Sequence, residues 1–113
     1  MAPRMTLQTR MVLAVLLADP TGEVYGLEIV EATGLPPGTI YPILARLEET
    51  GWIESRWEEI DQHAAARPRR RYYRFSTAPT DGAAAARIAV AEADERQRAR
   101  QRRPDPTRRR LAW

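Results

Sequence analysis

The sequence predicts a mostly α-helical α+β fold in which three helices precede a two-stranded hairpin and a fourth helix follows it. Three observations lead to this prediction. Helix-favouring segments fill most of residues 6–50 and 83–103, apolar and polar residues alternate over residues 52–60, and a second strand pattern follows an arginine run at residues 67–71. At 113 residues the chain fits one small domain with tails, which buries only about two-thirds of its unfolded surface and therefore gains from dimerisation.

The first helix is predicted over residues 6–18, a segment rich in helix formers that ends before Asp19-Pro20. Residues 1–5 in front of it are expected to be a flexible N-terminus. Residues 11–18 are apolar all round the helix, so one side can pack in its own domain while another needs a cover. We expect a second subunit to provide that cover, and burial within a single subunit is the alternative.

The second helix is predicted over residues 25–33. Leu27, Ile29 and Val30 are apolar residues at helical spacing within this segment. Gly34 follows and is a natural helix terminus.

The third helix is predicted to begin at residues 36–37, because proline suits a first turn, where a missing amide donor costs little. It is predicted to end at Gly51. A helical wheel divides its residues into an apolar stripe and an outer face that is small and shallow near its start. The stripe consists of Ile40, Ile43, Leu44 and Leu47, and the outer face and flanks consist of Gly38, Tyr41, Pro42, Ala45, Arg46 and Glu49.

Pro42 lies inside the third helix, where a proline removes a backbone donor and costs roughly 3 kcal/mol. A helix that served only the core would gain nothing from this residue. We therefore predict that Gly38, Thr39, Tyr41 and Pro42 approach the major groove of duplex DNA, with little bulk and with hydroxyl groups for phosphates or bases. The alternative is a kinked structural helix in which Tyr41 is an ordinary, partly exposed residue.

The hairpin is predicted to pair strands at residues 52–60 and 71–77 across a polar, flexible tip at residues 61–70. Its aromatic residues are expected to serve mostly in core and hairpin packing. Pro68 stiffens the tip, and the guanidinium groups of the neighbouring arginines are predicted to emerge beside the third helix and to suit a narrow minor groove. These arginines are Arg67, Arg69, Arg70 and Arg71. A solvated charged surface is the alternative, but a recognition helix followed by a basic hairpin is the layout of a winged helix-turn-helix.

The fourth helix is predicted over residues 83–103, with exposed i,i+4 pairs of Glu92 with Arg96 and of Asp94 with Arg98. Its apolar seam is thin, so pairing through it would need help from the first helix. Residues 104–113 are expected to form a disordered basic tail, and whether its arginines contact DNA stays open.

The charge is distributed unevenly along the chain. Residues 1–66 contain four arginines and ten carboxylates, whereas residues 67–113 contain fourteen arginines and five carboxylates. The net charges of the two parts are therefore −6 and +9. This asymmetry indicates an anionic partner for the second part, and nucleic acid is favoured over a membrane surface.

Other functional classes are disfavoured by composition. The chain has no cysteine and one histidine, His63, so disulfides, cysteine-ligated zinc and a catalytic triad lack the necessary groups. No metal or other cofactor is expected, and neither is an enzyme. The longest apolar run, residues 11–18, is too short to span a bilayer and lacks the flanks of a signal peptide, so a cytoplasmic protein is expected.

Four motifs together resemble the PadR family of bacterial winged-helix transcriptional regulators. They are Tyr25-Gly26-Leu27-Glu28-Ile29, Pro37-Gly38-Thr39-Ile40-Tyr41-Pro42, Gly51-Trp52-Ile53 and Arg67-Pro68-Arg69-Arg70-Arg71-Tyr72-Tyr73-Arg74. The resemblance covers about residues 7–77. Two departures from the family pattern are Ala66, where the family usually carries glycine before Arg-Pro, and the stretched segment 77–82 before the last helix.

The resemblance implies a homodimer whose third helix enters the major groove, whose wing approaches the minor groove, and whose first and last helices form the dimer interface. Carried over by position, the DNA contacts on the helices would be Tyr25, Gly38, Thr39, Tyr41, Pro42 and, for phosphate or support, Arg46. The candidate dimer residues are Leu7, Met11, Val15, Ile88, Ala91 and Glu95.

The sequence thus predicts a winged helix-turn-helix DNA-binding domain at residues 6–78 and a C-terminal dimerisation helix at residues 79–103. The expected function is that of a homodimeric transcriptional repressor that binds an inverted repeat in double-stranded DNA. One alternative is a winged-helix module for protein interaction, such as an anti-repressor. A third reading is a regulator that senses a small-molecule effector at the dimer interface.

Overall fold

A computed structural model of the protein describes residues 2–102, and the predicted mostly helical α+β fold with a wing and a C-terminal helix is confirmed. The predicted basic tail at residues 104–113 lies outside the described residues. The elements in chain order are α1 (Leu7–Ala18), β1 (Val24–Tyr25), α2 (Gly26–Thr33), α3 (Pro37–Glu49), β2 (Ile53–Trp57), α4 (Gln62–Ala65), β3 (Arg71–Phe75) and α5 (Gly82–Gln101).

The core lies between α1, α2 and α3 and is closed by the sheet. Thr6 caps α1 by accepting a hydrogen bond of 3.1 Å from the Thr9 amide, which satisfies a free amide of the first turn. The apolar side of α1 packs against α2 and α3. The predicted stripe of α3 is confirmed, because all four of its residues are at most 3% exposed. The largest fully buried side chains are Val12, Leu13, Ile29, Ile40, Leu44 and Leu47.

The start of the second helix differs from the prediction. Tyr25 belongs to the short strand β1, and α2 begins one residue later, at Gly26. In the antiparallel pairing of β1 with β3, Val24 lies opposite Tyr73 and Tyr25 lies opposite Tyr72, so the sheet has three strands in the order β1-β3-β2. Two residues are too few to show alternation, and the pairing partner is distant in sequence, so periodicity alone could not find this strand.

The end of α2 is as predicted. Gly34 adopts the left-handed conformation with φ of 73°, and its amide donates to the Val30 carbonyl at 2.8 Å. Glycine adopts this conformation without steric cost, which allows the short turn into α3.

The hairpin of β2 and β3 has one buried side. Ile53 pairs with Phe75 and Ser55 with Tyr73, and the apolar side chains of these pairs are at most 5% exposed. Trp57 lies at the far end of β2 and is 56% exposed, so the expectation that the hairpin aromatics pack mostly in the core is wrong for this residue. It follows the alternation of β2, but at this position the side chain is not covered by the core.

The wing tip is more ordered than its sequence indicated. Residues 61–70 contain the single-turn helix α4, whose first amides, at His63 and Ala64, donate to the Asp61 carboxylate at 2.9 and 3.4 Å. Ala66 ends this turn in the left-handed conformation, with φ of 56°. The departure from the family's glycine therefore falls where glycine is the favoured residue, and the alanine there is strained.

The last helix, α5, packs on α1. Gly82 opens it, and a Cβ atom at this position would collide with the Trp52 carbonyl, so the stretched segment before the helix still places a glycine where the backbones meet. Ala86 and Ala93 are the buried residues of its thin seam.

The ion pairs predicted along this helix are wrong. Asp94 binds Arg10 of α1 at 3.0 Å instead of Arg98, and Arg98 is paired with Glu95 at 3.5 Å. Within residues 2–102, Glu92 and Arg96 form no ion pair and instead line a groove against the N-terminal segment. Helical spacing brings such residues within reach, but packing of α5 on α1 decides which of them meet.

Candidate nucleic-acid interface

The first turns of α3 have an exposed outer surface. Gly38 and Pro42 are exposed, Thr39 is half-buried, and Tyr41 keeps 46% of its surface exposed. Because Pro42 has no amide hydrogen, the Gly38 carbonyl loses the donor that an α-helix normally provides. The start of α3 therefore carries hydroxyl groups and a backbone acceptor on an exposed surface.

Gly38 has no structural reason to be glycine. A Cβ atom built on it would have no protein atom within 4 Å, and its φ is not in the left-handed region. A larger residue at this position would therefore fit the fold. It would only thicken the outer surface of the helix.

The ring of Tyr41 packs against a glycine of the neighbouring helix. The tyrosine ring crosses the start of α2 so closely that a Cβ atom on Gly26 would lie 2.8 Å from two of its ring carbons. Gly26 is buried, and its lack of a side chain leaves room for the ring. The two sequence motifs that contain Gly26 and Tyr41 thus form one contact.

Arg67 does not emerge from the wing as expected. Its Nη1 and Nη2 atoms donate to the two carboxylate oxygens of Glu58 at 2.7 and 3.1 Å, which is the bidentate geometry of a strong ion pair. The guanidinium group lowers the pKa of Glu58 to about 2, and the carboxylate raises the pKa of Arg67 in turn. The guanidinium of Arg67 is therefore largely neutralised within the wing.

Arg70 and Arg71 are also engaged within the protein. The guanidinium carbon of Arg70 lies 4.2 Å from the ring centroid of Tyr25, a distance at which cation–π attraction is effective. Arg71 donates to the Ser55 hydroxyl at 2.9 Å and lies over the ring of Trp57 at 5.4 Å. Arg71 is also paired with Glu48 of α3 at 3.5 Å, whereas Arg70 has no ion pair among residues 2–102. The positions of both arginines are therefore set by neighbouring side chains.

Arg69 differs from the other three arginines of the tip. It is exposed, and among residues 2–102 it has no ion pair, side-chain hydrogen bond or ring contact. The sequence grouped four arginines as equivalent, whereas the structure leaves this one free to reach a ligand. Its freedom follows from the pairing of its neighbours, which no sequence pattern displays.

The wing and the helices enclose a cleft of about 560 Å³. Tyr25 and Tyr41 line it from the side of the helices, and the tip from Arg67 to Arg71 lines it from the side of the wing. The structure thus brings these predicted contacts together. Gly38, Thr39, Pro42 and Arg46 do not line the cleft and lie along the outer surface of α3.

Two exposed residues that line the cleft were not identified from the sequence. Leu27 is 53% and Trp57 is 56% exposed, and both line the cleft. Leu27 precedes the buried Ile29 by two positions, which turns it about 200° away around the helix, so strict wheel counting would have placed it outside. No comparable signal was available for Trp57.

The predicted dimer residues lie on α1 and α5 and do not line the cleft. Leu7 on α1 and Ile88 on α5 are 63% and 61% exposed. Arg10 joins the two helices by donating to Asp94 at 3.0 Å and to Gln97 at 3.2 Å. Of the remaining candidates, Met11 and Val15 are partly buried, and Ala91 and Glu95 are exposed.

Residues 2–102 contain neither a helix that is both long and apolar enough to cross a membrane nor a cluster of three or more side chains suited to a metal ion.

Comparison with known proteins identifies the family. The model of the transcriptional regulator PadR-like family matches residues 12–78, and no curated protein matches the sequence significantly. A transcriptional regulator from Clostridium thermocellum is 23% identical with a TM-score of 0.65, over 87% of this chain and 90% of that chain. A PadR-like transcription factor from Bacteroides fragilis is 21% identical with a TM-score of 0.63, over 84% and 87% of the two chains.

A PadR family regulator from Eggerthella lenta is 23% identical with a TM-score of 0.59, over 88% of this chain and 91% of that chain. These structures share the winged-helix fold and the C-terminal helix. The family match spans more than half of the chain and includes α2, α3 and the whole wing. The chain therefore belongs to the PadR-like family, and it is a DNA-binding transcriptional regulator rather than an enzyme, as its sequence predicted.

Proposed function

We propose that the protein is a repressor that binds an inverted-repeat operator as a homodimer. In each subunit the start of α3 enters the major groove and the wing reaches the adjacent minor groove. The half-sites are then expected about one helical turn apart, because two recognition helices on one face of the duplex meet successive turns of the major groove. The observation that carries this proposal is the cleft that Tyr41 of α3 and the cationic wing line together, next to the exposed start of α3.

The surface of α3 supports a role in contacting bases. Gly38 adds no side chain to a helix that has open space in front of it, so the backbone could approach a base edge closely. The hydroxyl groups of Thr39 and Tyr41 and the carbonyl of Gly38 can act as hydrogen-bond partners there. Arg46, exposed further along α3, is suited to a phosphate.

The wing supports a role in electrostatic binding. Arg69 is free to insert into a minor groove, whose narrow forms concentrate negative potential. Arg70 is held on Tyr25 at 4.2 Å and can offer its outer edge to a phosphate without giving up this contact. The wing is therefore expected to provide most of the salt-dependent part of the affinity.

The face formed by α1 and α5 supports homodimerisation. Leu7 and Ile88 expose apolar surface, and a second copy that packs its own α1 and α5 there would remove it from water. A two-fold dimer of this kind matches the symmetry of an inverted repeat. The protein-interaction alternative would use the same face, but it would leave the cleft and its arginines without a role.

Selection of binding sites from random double-stranded DNA tests the proposal, combined with light scattering of the protein alone. We expect an inverted repeat to be enriched and the protein to have twice the subunit mass. Repression would then be measured with a reporter gene behind the selected operator. Failure to enrich any sequence, or enrichment of a single half-site by a monomer, would contradict the proposal.

A further inference from the structure

The carboxylate of Glu58 accepts hydrogen bonds from several parts of the wing. Glu58 follows β2 directly, its side chain is only 15% exposed, and it accepts the bidentate pair of hydrogen bonds from Arg67. The backbone amide of Arg70 donates to the same carboxylate at 3.3 Å, and the Tyr72 hydroxyl donates at 3.4 Å. The Glu58 amide also donates to the Arg70 carbonyl at 2.8 Å, so this residue closes the loop through its backbone as well.

The loop that Glu58 closes would not hold its shape unaided. It contains the single-turn helix α4 and the left-handed Ala66, a conformation that disfavours any residue with a Cβ atom. A helix of one turn has little stability of its own. The charge-assisted hydrogen bonds to Glu58 offset this strain and connect both ends of the tip.

The position of each arginine in the tip follows from this carboxylate. Arg67 is drawn inward by its ion pair, and the backbone of Arg70 is fixed where its side chain stacks on Tyr25. Arg69, between them, is left exposed on the outside of the bend. An unpaired loop of the same composition would distribute its arginines over many positions.

We propose that Glu58 is a positioning residue for DNA binding: it shapes the wing tip so that Arg69 and Arg70 meet DNA, while Arg67 serves as its structural partner. This proposal rests on the DNA-binding role of the wing put forward above. It assigns a negatively charged side chain a favourable part in binding a polyanion. Arg67, which the sequence grouped with the DNA contacts, is assigned to the wing instead.

The sign of the effect separates this role from simple electrostatics. Removing a negative charge near a DNA-binding surface reduces repulsion and should strengthen binding when nothing else changes. Loss of a positioning residue should weaken binding despite the more favourable charge. A role in which Glu58 holds Arg67 away from DNA would also predict stronger binding after its removal.

The test measures operator binding by fluorescence anisotropy for Glu58→Ala and Glu58→Gln, with Glu54→Gln as the matched control. Glu54 lies on β2 and is paired with Arg74 at 2.6 Å, so the control removes the same charge from an ion pair on the same strand. We expect Glu58→Ala to weaken binding roughly tenfold, equivalent to one good interaction. Glu58→Gln should lie between it and the parent because an amide oxygen still accepts hydrogen bonds, and Glu54→Gln should bind at least as tightly as the parent.

Two further measurements define the role. The double variant Glu58→Ala with Arg67→Ala should bind no more weakly than Glu58→Ala alone, because the pair acts as a unit. In the absence of DNA, trypsin should cleave Glu58→Ala after Arg69 and Arg70 faster than it cleaves the parent or the control. Circular dichroism confirms that each variant is folded, and Glu58→Gln carries the test if Glu58→Ala is not.

Binding of both Glu58 variants at parental or higher affinity would overturn the positioning role, and so would an unchanged rate of tryptic cleavage. A double variant that binds much more weakly than Glu58→Ala would show that Arg67 contacts DNA directly. This result would overturn the assignment of Arg67 as a structural partner of Glu58. A parent protein that binds no duplex DNA would overturn the proposed function and this role with it.

Discussion

Helix α3, through Tyr41, and the wing line the same cleft, but they present their functional groups in opposite ways. On α3 the four residues of the apolar stripe are at most 3% exposed and form the packing with the core. The residues on the outer surface of the helix take no part in this core packing, so they remain available for contacts with a ligand. In the wing, by contrast, Arg67, Arg70 and Arg71 are all bound to neighbouring side chains. The comparison teaches that a count of arginines overstates the charge that a loop can offer, since part of that charge is used to build the loop.

Tyr41→Ala is the change expected to have the largest effect on the α3 side of this comparison. The side chain is 46% exposed and lies between the helix start and the cleft. We expect operator affinity to fall roughly ten- to hundredfold, the range for loss of a good base contact. Anisotropy measures the affinity, and circular dichroism should show an unchanged fold. Parental affinity in a folded Tyr41→Ala variant would show that this helix surface was wrongly assigned.

Arg69→Ala and Arg67→Ala form a matched pair within the wing. Loss of the free Arg69 should lower affinity and reduce the slope of log affinity against log salt by about one, as expected for one lost phosphate contact. Arg67→Ala should leave that slope close to the parental value, because its charge is already paired with Glu58 at 2.7 Å. Titrations across a salt series measure both slopes. A slope reduced by about one in Arg67→Ala as well would mean that the ion pair does not withhold Arg67 from DNA, and an unchanged slope in Arg69→Ala would mean that Arg69 does not contact phosphate.

Gly38→Ala tests whether the glycine is required for DNA binding rather than for stability of the fold. Because a Cβ atom has open space at this position, alanine should leave thermal stability unchanged or raise the free energy of unfolding by up to about 1 kcal/mol. Operator affinity should nevertheless fall several-fold if the backbone closely approaches a base. Ala45→Ser, on the same exposed face, is the control. A Gly38→Ala variant with improved stability and parental affinity would show that the helix start stands away from DNA.

The smallest expected effect is the acid sensitivity of the wing. The folded-state pKa of Glu58 is lowered from the ordinary value of 4.5 to about 2 by its hydrogen bonds with Arg67. A lowered carboxyl pKa stabilises the folded wing above pH 4.5, and this stabilisation is lost as the pH falls from 4.5 to 2. Trp57, beside Glu58, should report this change in fluorescence between those values when Trp52 and Trp113 are replaced by phenylalanine. The same titration of Glu58→Gln should be flat.

Prediction from sequence succeeded where one local pattern was enough. The buried stripe of α3, the end of α2 at Gly34 and the end of α1 before Asp19-Pro20 follow from helical spacing and terminating residues, which act over a few residues. Prediction failed where the partner is remote in sequence. Strand β1 exists because of β3, and Asp94 pairs with Arg10 rather than with its own helix.

The same distinction between local patterns and partners remote in sequence applies to the candidate site. Its location on α3 and the wing was predicted from Pro42, Gly38 and the arginine run, which are features that a reader of the chain can see. The distinct environment of Arg69 was not predicted, because it results from pairs formed by the residues around it. The exposure of Trp57 was likewise hidden by a strand pattern that continues beyond the core.

By itself, the sequence determined the family, the helices α1, α2, α3 and α5, and the hairpin of β2 and β3, because helical spacing, strand alternation and turn residues act through neighbours in the chain. Only the tertiary structure decided which arginine of the tip is unpaired, which carboxylate Arg67 binds and which glycine leaves room for Tyr41. The physical reason is that ion pairs and close backbone contacts depend on distances of a few ångströms between residues far apart in sequence, and packing alone sets those distances.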